Sequence, residues 1–104
     1  MKKTFDISSV EGRKDFVTTL LNHGKLINFQ KQGGTNWSMA IVQFPDGWST
    51  HGTSVCVSTA DFDAEKGKQI AYENALDNAE THYWRAVGYM AMIGMKEIEI
   101  PWEE

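Results

Sequence analysis

The chain has a single cysteine and no long apolar stretch, and both absences limit what it can be. Cys56 stands alone among 104 residues, so an internal disulfide is excluded and a reducing compartment is expected. No apolar run approaches the roughly 20 residues that a membrane-spanning helix needs. Lys2 and Lys3 are followed by no apolar segment, which argues against a secretory signal. We therefore expect a cytoplasmic protein with no membrane partner.

Sequence signatures of catalysis are also missing. The chain has no nucleophile elbow, no phosphate-binding loop and no dinucleotide glycine pattern. Cys56 lies in an apolar strand pattern with His51 on the opposite face, so core packing is expected rather than a nucleophilic role. We therefore expect that the protein is not an enzyme.

Metal binding is not indicated either. His23, His51 and His82 lack the spacing that puts two ligands on one helix face. The acidic segment from Asp61 resembles the start of a calcium loop, but an EF-hand needs glycine at the sixth position and a carboxylate at the twelfth. This chain has Lys66 and Tyr72 at those positions. We expect no metal and no cofactor.

The net charge of −4 is unevenly distributed. Residues 1–34 carry a net +3, and residues 35–104 carry a net −7. An acidic surface repels phosphate backbones, so general nucleic-acid binding is disfavoured. The basic N-terminal part can at most contact phosphate locally.

Length and composition predict one globular domain over residues 1–104, since 41% of residues are hydrophobic and 23% charged. The ends, 1–7 and 96–104, are expected to be mobile, or the tail adds an edge strand that ends at Pro101.

The N-terminal part predicts a helix from Val10 to His23. Ser8 and Glu11 have the spacing of a capping box, with Ser8 as the cap. Apolar residues at helical spacing follow, and Gly24 is expected to end the helix in the left-handed conformation.

Three strands are predicted next, over residues 25–32, 37–44 and 48–57. Gly33-Gly34 and Pro45-Asp46-Gly47 are short turn signals, and short turns join only antiparallel neighbours. On the middle strand one face carries Trp37, Met39 and Ile41, and the other carries Ala40, Val42 and Phe44. An antiparallel meander is therefore expected.

A long C-terminal helix is predicted to start at a cap formed by Asp61 or Asp63. Its buried stripe is expected to be Ile70, Ala71, Ala75, Leu76 and Ala79. Helical character continues to Gly94, which gives a helix of about 45 Å against a domain radius of gyration of about 13 Å. The helix is therefore expected to break near Thr81–His82 or Gly88, or to pack its exposed end on a partner. The predicted class is α+β, with this helix packed on the sheet.

The order of residues from Ser54 to Tyr89 resembles an uncharacterised family of small tailed-phage accessory proteins. The block comprises 54–58, the acidic 61–63, the helical 67–76, Trp84 and 88–89. This resemblance implies a phage protein acting in the host cytoplasm, and it implies no catalytic residues.

Aromatic residues supply the candidate binding site. Four tryptophans exceed what so short a core needs, and aromatics are enriched at binding hot spots. The candidate residues are Trp37, Trp48, Lys31, Tyr83 and Trp84.

Three functions remain open. The first is a non-enzymatic phage protein that binds a host protein or protein complex and inhibits an antiviral defence, such as CRISPR or restriction. The second is a small-ligand binder, such as a nucleotide sponge, in which Trp37, Trp48 and Lys31 hold the ligand. The third is a phage structural or assembly protein. A homo-oligomer formed through the C-terminal helix, with its methionines Met90, Met92 and Met95, is also expected.

Overall fold

The computed structural model describes residues 1–31, 37–55 and 64–102, and it has the predicted α+β architecture. The elements are β1 (Lys2–Asp6), α1 (Val10–Asn22), β2 (Lys25–Lys31), β3 (Trp37–Gln43), β4 (Ser49–Val55), α2 (Ala64–Met92) and β5 (Glu97–Pro101). One sheet has the order β2-β3-β4, and β1 pairs with β5 in a second sheet. The N-terminal helix, the antiparallel meander and the helix packed on it are confirmed.

The strands of the meander alternate as predicted. Ala40 and Val42 on β3 are fully buried, while Met39 and Ile41 on the opposite face are half-buried. Gly47 in the β3–β4 turn has a φ of +91°, the conformation that favours glycine. The predicted turn at Gly33-Gly34, and the predictions for Cys56, Asp61 and Asp63, lie outside the described residues.

Small residues let the first half of α2 lie directly on the sheet. Ala71 and Ala75 are fully buried, as is Ala40, which pairs with Gly52 on β4. A Cβ atom on Gly52 would lie 2.2 Å from the carbonyl oxygen of Ala71 and 2.2 Å from the amide nitrogen of Ala75. The helix backbone reaches the sheet only because residue 52 has no side chain.

Two side chains of α2 also donate hydrogen bonds to backbone carbonyls of β4, which is an edge strand of the sheet. Asn74 donates from Nδ2 to the carbonyl oxygen of Thr53 at 2.7 Å, and Asn78 donates from Nδ2 to that of His51 at 2.9 Å. Edge carbonyls without such partners are available to a strand of another chain. The two asparagines therefore attach the helix and protect this edge.

The buried stripe of α2 differs from the predicted one. Its members lie at every fourth position: Ala71, Ala75, Ala79, Tyr83 and Val87. Ile70 is 43% exposed, so its assignment to the stripe is wrong, and Leu76 is half-buried. Steps of four residues advance about 40° around a helix of 3.6 residues per turn. The stripe therefore turns from the sheet toward α1 along the helix.

The helix α2 is unbroken over 29 residues, so of the two alternatives the break near Thr81–His82 or Gly88 is wrong, and the long continuous helix is confirmed. Its second half has its own support, because Tyr83 and Val87 pack in one core with residues of α1, β1 and β5. Gly94, with a φ of +94°, ends the helix, and Met95 N donates to the carbonyl oxygen of Met90 at 3.0 Å.

The helix α1 starts at Val10 as predicted, but its cap lies one residue later than predicted. Ser9 is the cap, and its Oγ accepts a hydrogen bond from Gly12 N at 3.0 Å. Ser8 instead donates from N and Oγ to Oδ1 of Asp6, at 2.9 and 2.6 Å. The carboxylate is a stronger acceptor than a neutral group, which is why Ser8 turns toward it.

Gly24 follows α1 for a reason other than the predicted one. The described glycines with positive φ are Gly47 and Gly94, so Gly24 is not left-handed. A Cβ atom on Gly24 would lie 2.6 Å from Cε1 of Phe44 and 3.0 Å from Cγ1 of Val42. Close packing against the sheet, not backbone conformation, requires the glycine.

The two ends of the chain pair with each other. Antiparallel β1 and β5 place Lys2 opposite Pro101 and Phe5 opposite Ile98. Phe5 is 2% exposed and Trp102 is 9% exposed, so both ends contribute to the core. The tail does form a strand, but its partner is the N-terminus and not the meander.

Candidate binding surfaces

The first candidate surface is the side of the three-stranded sheet turned away from α2, here called the outer face. It carries Met39 and Ile41 at its centre, Trp37 at one end and, beside Trp37, Val55, which is 67% exposed. α2 packs on the opposite side, and no other described helix or strand packs on this sheet. An apolar area is therefore left on the sheet surface.

Polar residues without negative charge surround this apolar centre. The strand registers place Lys25, Asn28 and Gln30 of β2 on the outer face, with His51 of β4 on the opposite flank. The described residues of this face include no carboxylate, although the whole chain carries a net charge of −4. The face is therefore locally neutral to basic on an acidic protein.

Lys31 and Trp37 are close in the sheet but lie on different faces. Lys31 pairs with Ser38, which is buried under α2, and side chains alternate along a strand. Trp37 therefore belongs to the outer face, and Lys31 to the helix side.

Trp37 and Trp48 lie at opposite ends of the β3–β4 pair. Trp37 pairs with Val55, whereas Trp48 directly precedes Ser49, which pairs with Gln43. Six residues of strand, about 20 Å, separate the two positions. The hypothesis that the two rings hold one base between them is therefore wrong.

Trp48 and Tyr83 belong to an aromatic cluster inside the molecule. Trp48 is half-buried and stacks on His82, with ring centroids 3.8 Å apart and planes 7° apart. Tyr83 is 1% exposed and contacts Phe16, Phe44 and Trp48 edge-on. The ring of Tyr83 is therefore not accessible to a partner.

The hydroxyl of Tyr83 has a structural partner. It donates to Oδ1 of Asp46 at 2.7 Å, and Trp48 N donates to the same oxygen at 3.2 Å. Burial, and then the hydrogen bond to Asp46 and its negative charge, raise the pKa of Tyr83 well above its usual value of 10.0. The phenol stays protonated and ties the β3–β4 turn to α2.

Trp84 belongs to a second candidate surface. It is 39% exposed, and the residues that follow it toward and beyond the end of α2 include four more exposed apolar side chains, Tyr89, Met92, Ile93 and Met95. We call these five residues the α2 end patch. Trp37 and Trp84 therefore belong to two different surfaces, Trp48 and Tyr83 belong to the aromatic cluster, and Lys31 lies on the helix side of the sheet.

A cleft of about 280 Å³ lies where the end of α1, the β3–β4 turn and β5 meet. Its lining includes His23, Lys25, Phe44, Pro45 and Trp102. Trp102 contacts the His23 ring at 4.7 Å between centroids and lies 4.8 Å from Lys3 Nζ. The cleft combines aromatic and cationic groups, and sequence reasoning missed it because it joins three distant segments.

The described residues include no group of three side chains suited to hold a metal ion. Within the same part of the chain, no helix is long and apolar enough to cross a membrane.

The fold and these surfaces define a small α+β protein built around one long helix, with exposed apolar residues on two separate areas. The chain belongs to the phage protein family described as N4 Gp49/phage Sf6 gene 66, which matches residues 13–93. The match runs from α1 to the end of α2, and the strands β1 and β5 lie outside it. No curated protein and no solved structure matches the chain.

Proposed function

We propose that this phage protein acts in the host cytoplasm as a non-enzymatic protein that binds a host protein through the outer face. The observation that carries the proposal is the apolar centre of that face, Met39 and Ile41 with exposed Val55, on the side of the sheet that α2 leaves uncovered. Apolar centres with polar rims are the usual form of protein-binding surfaces.

Charge favours a particular kind of partner. Lys25 and His51 flank the apolar centre, and no described residue of the face is acidic. Complementary charge speeds association and fixes the orientation of the two proteins. A host protein with an apolar patch and an acidic rim fits this face best.

The target class we propose is a protein complex of an antiviral defence system, of the CRISPR or restriction type. A phage protein that occludes such a complex needs surface contact and no turnover. This step is supported by the phage family and by analogy between functions, since a fold alone does not define a target.

The test is capture from host lysate with the tagged full chain and two matched variants. Ile41→Thr keeps a β-branched residue in β3 while reducing the apolar area of the outer face. Ile70→Thr makes the same change at a position of α2 that is 43% exposed and lies away from the outer face. The expected result is a stoichiometric host protein retained by the wild type and by Ile70→Thr, and lost with Ile41→Thr.

Failure has a clear form. No stoichiometric protein partner, or one captured equally by Ile41→Thr, contradicts the proposal. Capture of single-stranded nucleic acid without protein contradicts it too. Thermal unfolding of each variant verifies that the fold is intact.

A second candidate function is binding of a small anionic ligand, which the cleft favours. Lys25 provides positive charge, and Trp102 and Phe44 provide aromatic surface. Thermal-shift measurements with nucleotides test it: stabilisation that Lys25→Gln abolishes supports this function, and no stabilisation at millimolar nucleotide contradicts it.

A further inference from the structure

The two edges of the three-stranded sheet differ in how they are covered. At the β4 edge, Asn74 and Asn78 of α2 bond to backbone carbonyl oxygens. At the other edge is β2, and none of the described strands pairs with its outer side. α2 lies mainly over β4 and β3. An open edge of this kind presents backbone donors and acceptors to another extended chain.

The strand registers identify a residue of β2 that presents its backbone at the open edge. The carbonyl oxygen of His51 points away from β3, because Asn78 of α2 reaches it. His51 pairs with Ile41, whose backbone groups therefore point to β2 and to its partner there, Asn28. Directions alternate along a strand, so the next residue, Phe29, directs its N–H and C=O groups to the open edge.

A groove of about 330 Å³ lies beside this edge, on the helix side of the sheet. Its lining comes from β2 and the first turns of α2: Leu26, Glu65, Lys68, Gln69 and Tyr72. The Tyr72 hydroxyl donates to the carbonyl oxygen of Gly24 at 3.4 Å, and Lys68 Nζ lies 6.0 Å from the centre of the Phe29 ring. The helix and the strand therefore run side by side in opposite directions and form the two walls of the groove.

We propose that the open edge of β2 and this groove together bind an extended segment of a partner protein, which adds a fourth strand to the sheet. The backbone of the segment pairs with β2 at Phe29. Every second side chain of the segment enters the groove, where Leu26 and Tyr72 are half-buried and supply apolar surface. In this mode of recognition the backbone bonds give affinity and the groove gives selectivity.

Charge indicates which segment fits. β2 begins with Lys25, ends with Lys31 and contains no acidic residue. In the groove Lys68 adds a positive charge beside the negative charge of Glu65. The positive charges outnumber the negative ones, so an acidic segment with apolar residues at alternate positions is favoured.

The same lysines oppose a second copy of this chain as the occupant. An antiparallel pair of β2 strands with full overlap brings Lys25 of each copy close to Lys31 of the other. Like charges across paired strands are destabilising, and edge lysines are a common protection against self-pairing. The occupant is therefore a segment of a different protein.

A fluorescein-labelled peptide of alternating glutamate and valine is the probe. Its fluorescence anisotropy, measured during titration with the full chain, should show saturable binding. A peptide of alternating lysine and valine has the same strand propensity at its valines but the opposite charge. It should bind at least about tenfold more weakly.

Methylation of the peptide amides tests the strand pairing itself. In an added strand, alternate amides point to β2 and the others point to solvent. One peptide carries N-methyl groups on all glutamates, and a second carries them on all valines. One of the two should lose binding and the other should keep it. Equal affinities of the two methylated peptides would contradict backbone pairing.

Variants of α2 locate the site. Gln69→Trp fills the groove from an exposed position and should weaken binding at least about tenfold. The matched control Thr81→Trp places the same ring about 18 Å further along α2 and should leave binding unchanged. Lys68→Glu should weaken binding several-fold, whereas Lys96→Glu, outside the groove, should not. Thermal unfolding of each variant verifies that the fold is intact.

Three results would overturn the proposal. They are no saturable binding at millimolar peptide, binding that Gln69→Trp leaves unchanged, and self-association of the chain that Gln69→Trp abolishes, which would make a second copy the occupant. This site is separate from the outer face, and its occupation does not depend on the proposed host protein. Ile41→Thr should therefore bind the peptide as the wild type does, so the two proposals can fail separately.

Discussion

The two halves of α2 are attached to the rest of the molecule in different ways. The first half lies on the sheet through small residues, with Gly52 beneath the backbone at Ala71 and Ala75. The second half packs through large side chains. Tyr83, for example, lies in an aromatic cluster that includes Phe16. One helix thus has two supports, and the helix bridges the larger sheet and the paired ends of the chain.

This difference shows how one helix can pack on two different neighbours. Where the neighbour is a flat sheet, removing side chains brings the backbones together. Where the neighbours are α1 and the strands β1 and β5, the contacts are made by large side chains, among them the rings of Phe5, Phe16 and Tyr83. The buried residues at every fourth position therefore shift around the helix, from the side that faces the sheet to the side that faces α1.

The largest effect is expected where the helix and sheet are closest. Gly52→Ala places a methyl group within 2.2 Å of two backbone atoms of α2, so the helix must move away from the sheet. The free energy of unfolding should fall by about 3 kcal/mol or more, measured by urea denaturation. Gly88→Ala is the matched control, since its methyl group meets nothing and should stabilise the protein by about 0.5 to 1 kcal/mol. Equal effects at both glycines would contradict the close contact.

A smaller effect is expected in the aromatic half. Tyr83→Phe keeps the ring but removes the hydrogen bond to Asp46, so unfolding should become easier by about 1 to 1.5 kcal/mol. Tyr89→Phe, at a position 60% exposed, should change stability by less than about 0.5 kcal/mol. Thermal unfolding of the two variants in parallel makes the comparison. If they behave alike, Asp46 does not hold the turn to α2.

Asn74 and Asn78, in the first half of α2, should each contribute about 1 kcal/mol to the free energy of unfolding. Asn74→Asp and Asn78→Asp preserve the shape of the side chain but remove the donor to the β4 carbonyls. Denaturant titration should show both losses, whereas Asn28→Asp on exposed β2 should show little. Unchanged stability in both helix variants would mean that the edge of β4 is not held by these bonds.

The smallest effect is expected at Asp6, the last residue of β1, where the free energy of unfolding should depend on pH. Hydrogen bonds from Ser8, first from its hydroxyl and then from its amide, lower the pKa of Asp6 below its usual value of 3.8. A lowered folded pKa gives stability that is present above the usual value and lost as the pH falls through the folded pKa. The wild type should therefore lose stability more steeply than Asp6→Asn as the pH drops from about 5 to about 2. If the stability of the two proteins falls equally with pH, Asp6 does not cause this pH dependence.

Local patterns predicted most of the fold. Alternation in β3 and the turn at Pro45-Asp46-Gly47 gave the meander, and helical spacing gave α1 and α2. The cap was misassigned because two serines compete, and the nearby Asp6 decides between them. Continuing the stripe from Ala75 and Ala79 by four residues would have shown that Tyr83 is buried.

Contacts between distant segments were beyond such patterns. The pairing of β1 with β5 joins the two ends of the chain, and no local signal encodes it. The roles of Gly24 and Gly52 depend on what lies across from them in space. For the candidate surfaces, the alternation showed that Met39 and Ile41 share a face but not that α2 would leave it uncovered.

Binding through the outer face is the central claim, and the affinity for the captured host protein tests it most directly. Calorimetric titration of that protein with the wild type, Ile41→Thr and Ile70→Thr gives three dissociation constants under one condition. We predict an increase of at least about tenfold for Ile41→Thr and less than about twofold for Ile70→Thr. Equal constants for all three proteins would contradict the claim.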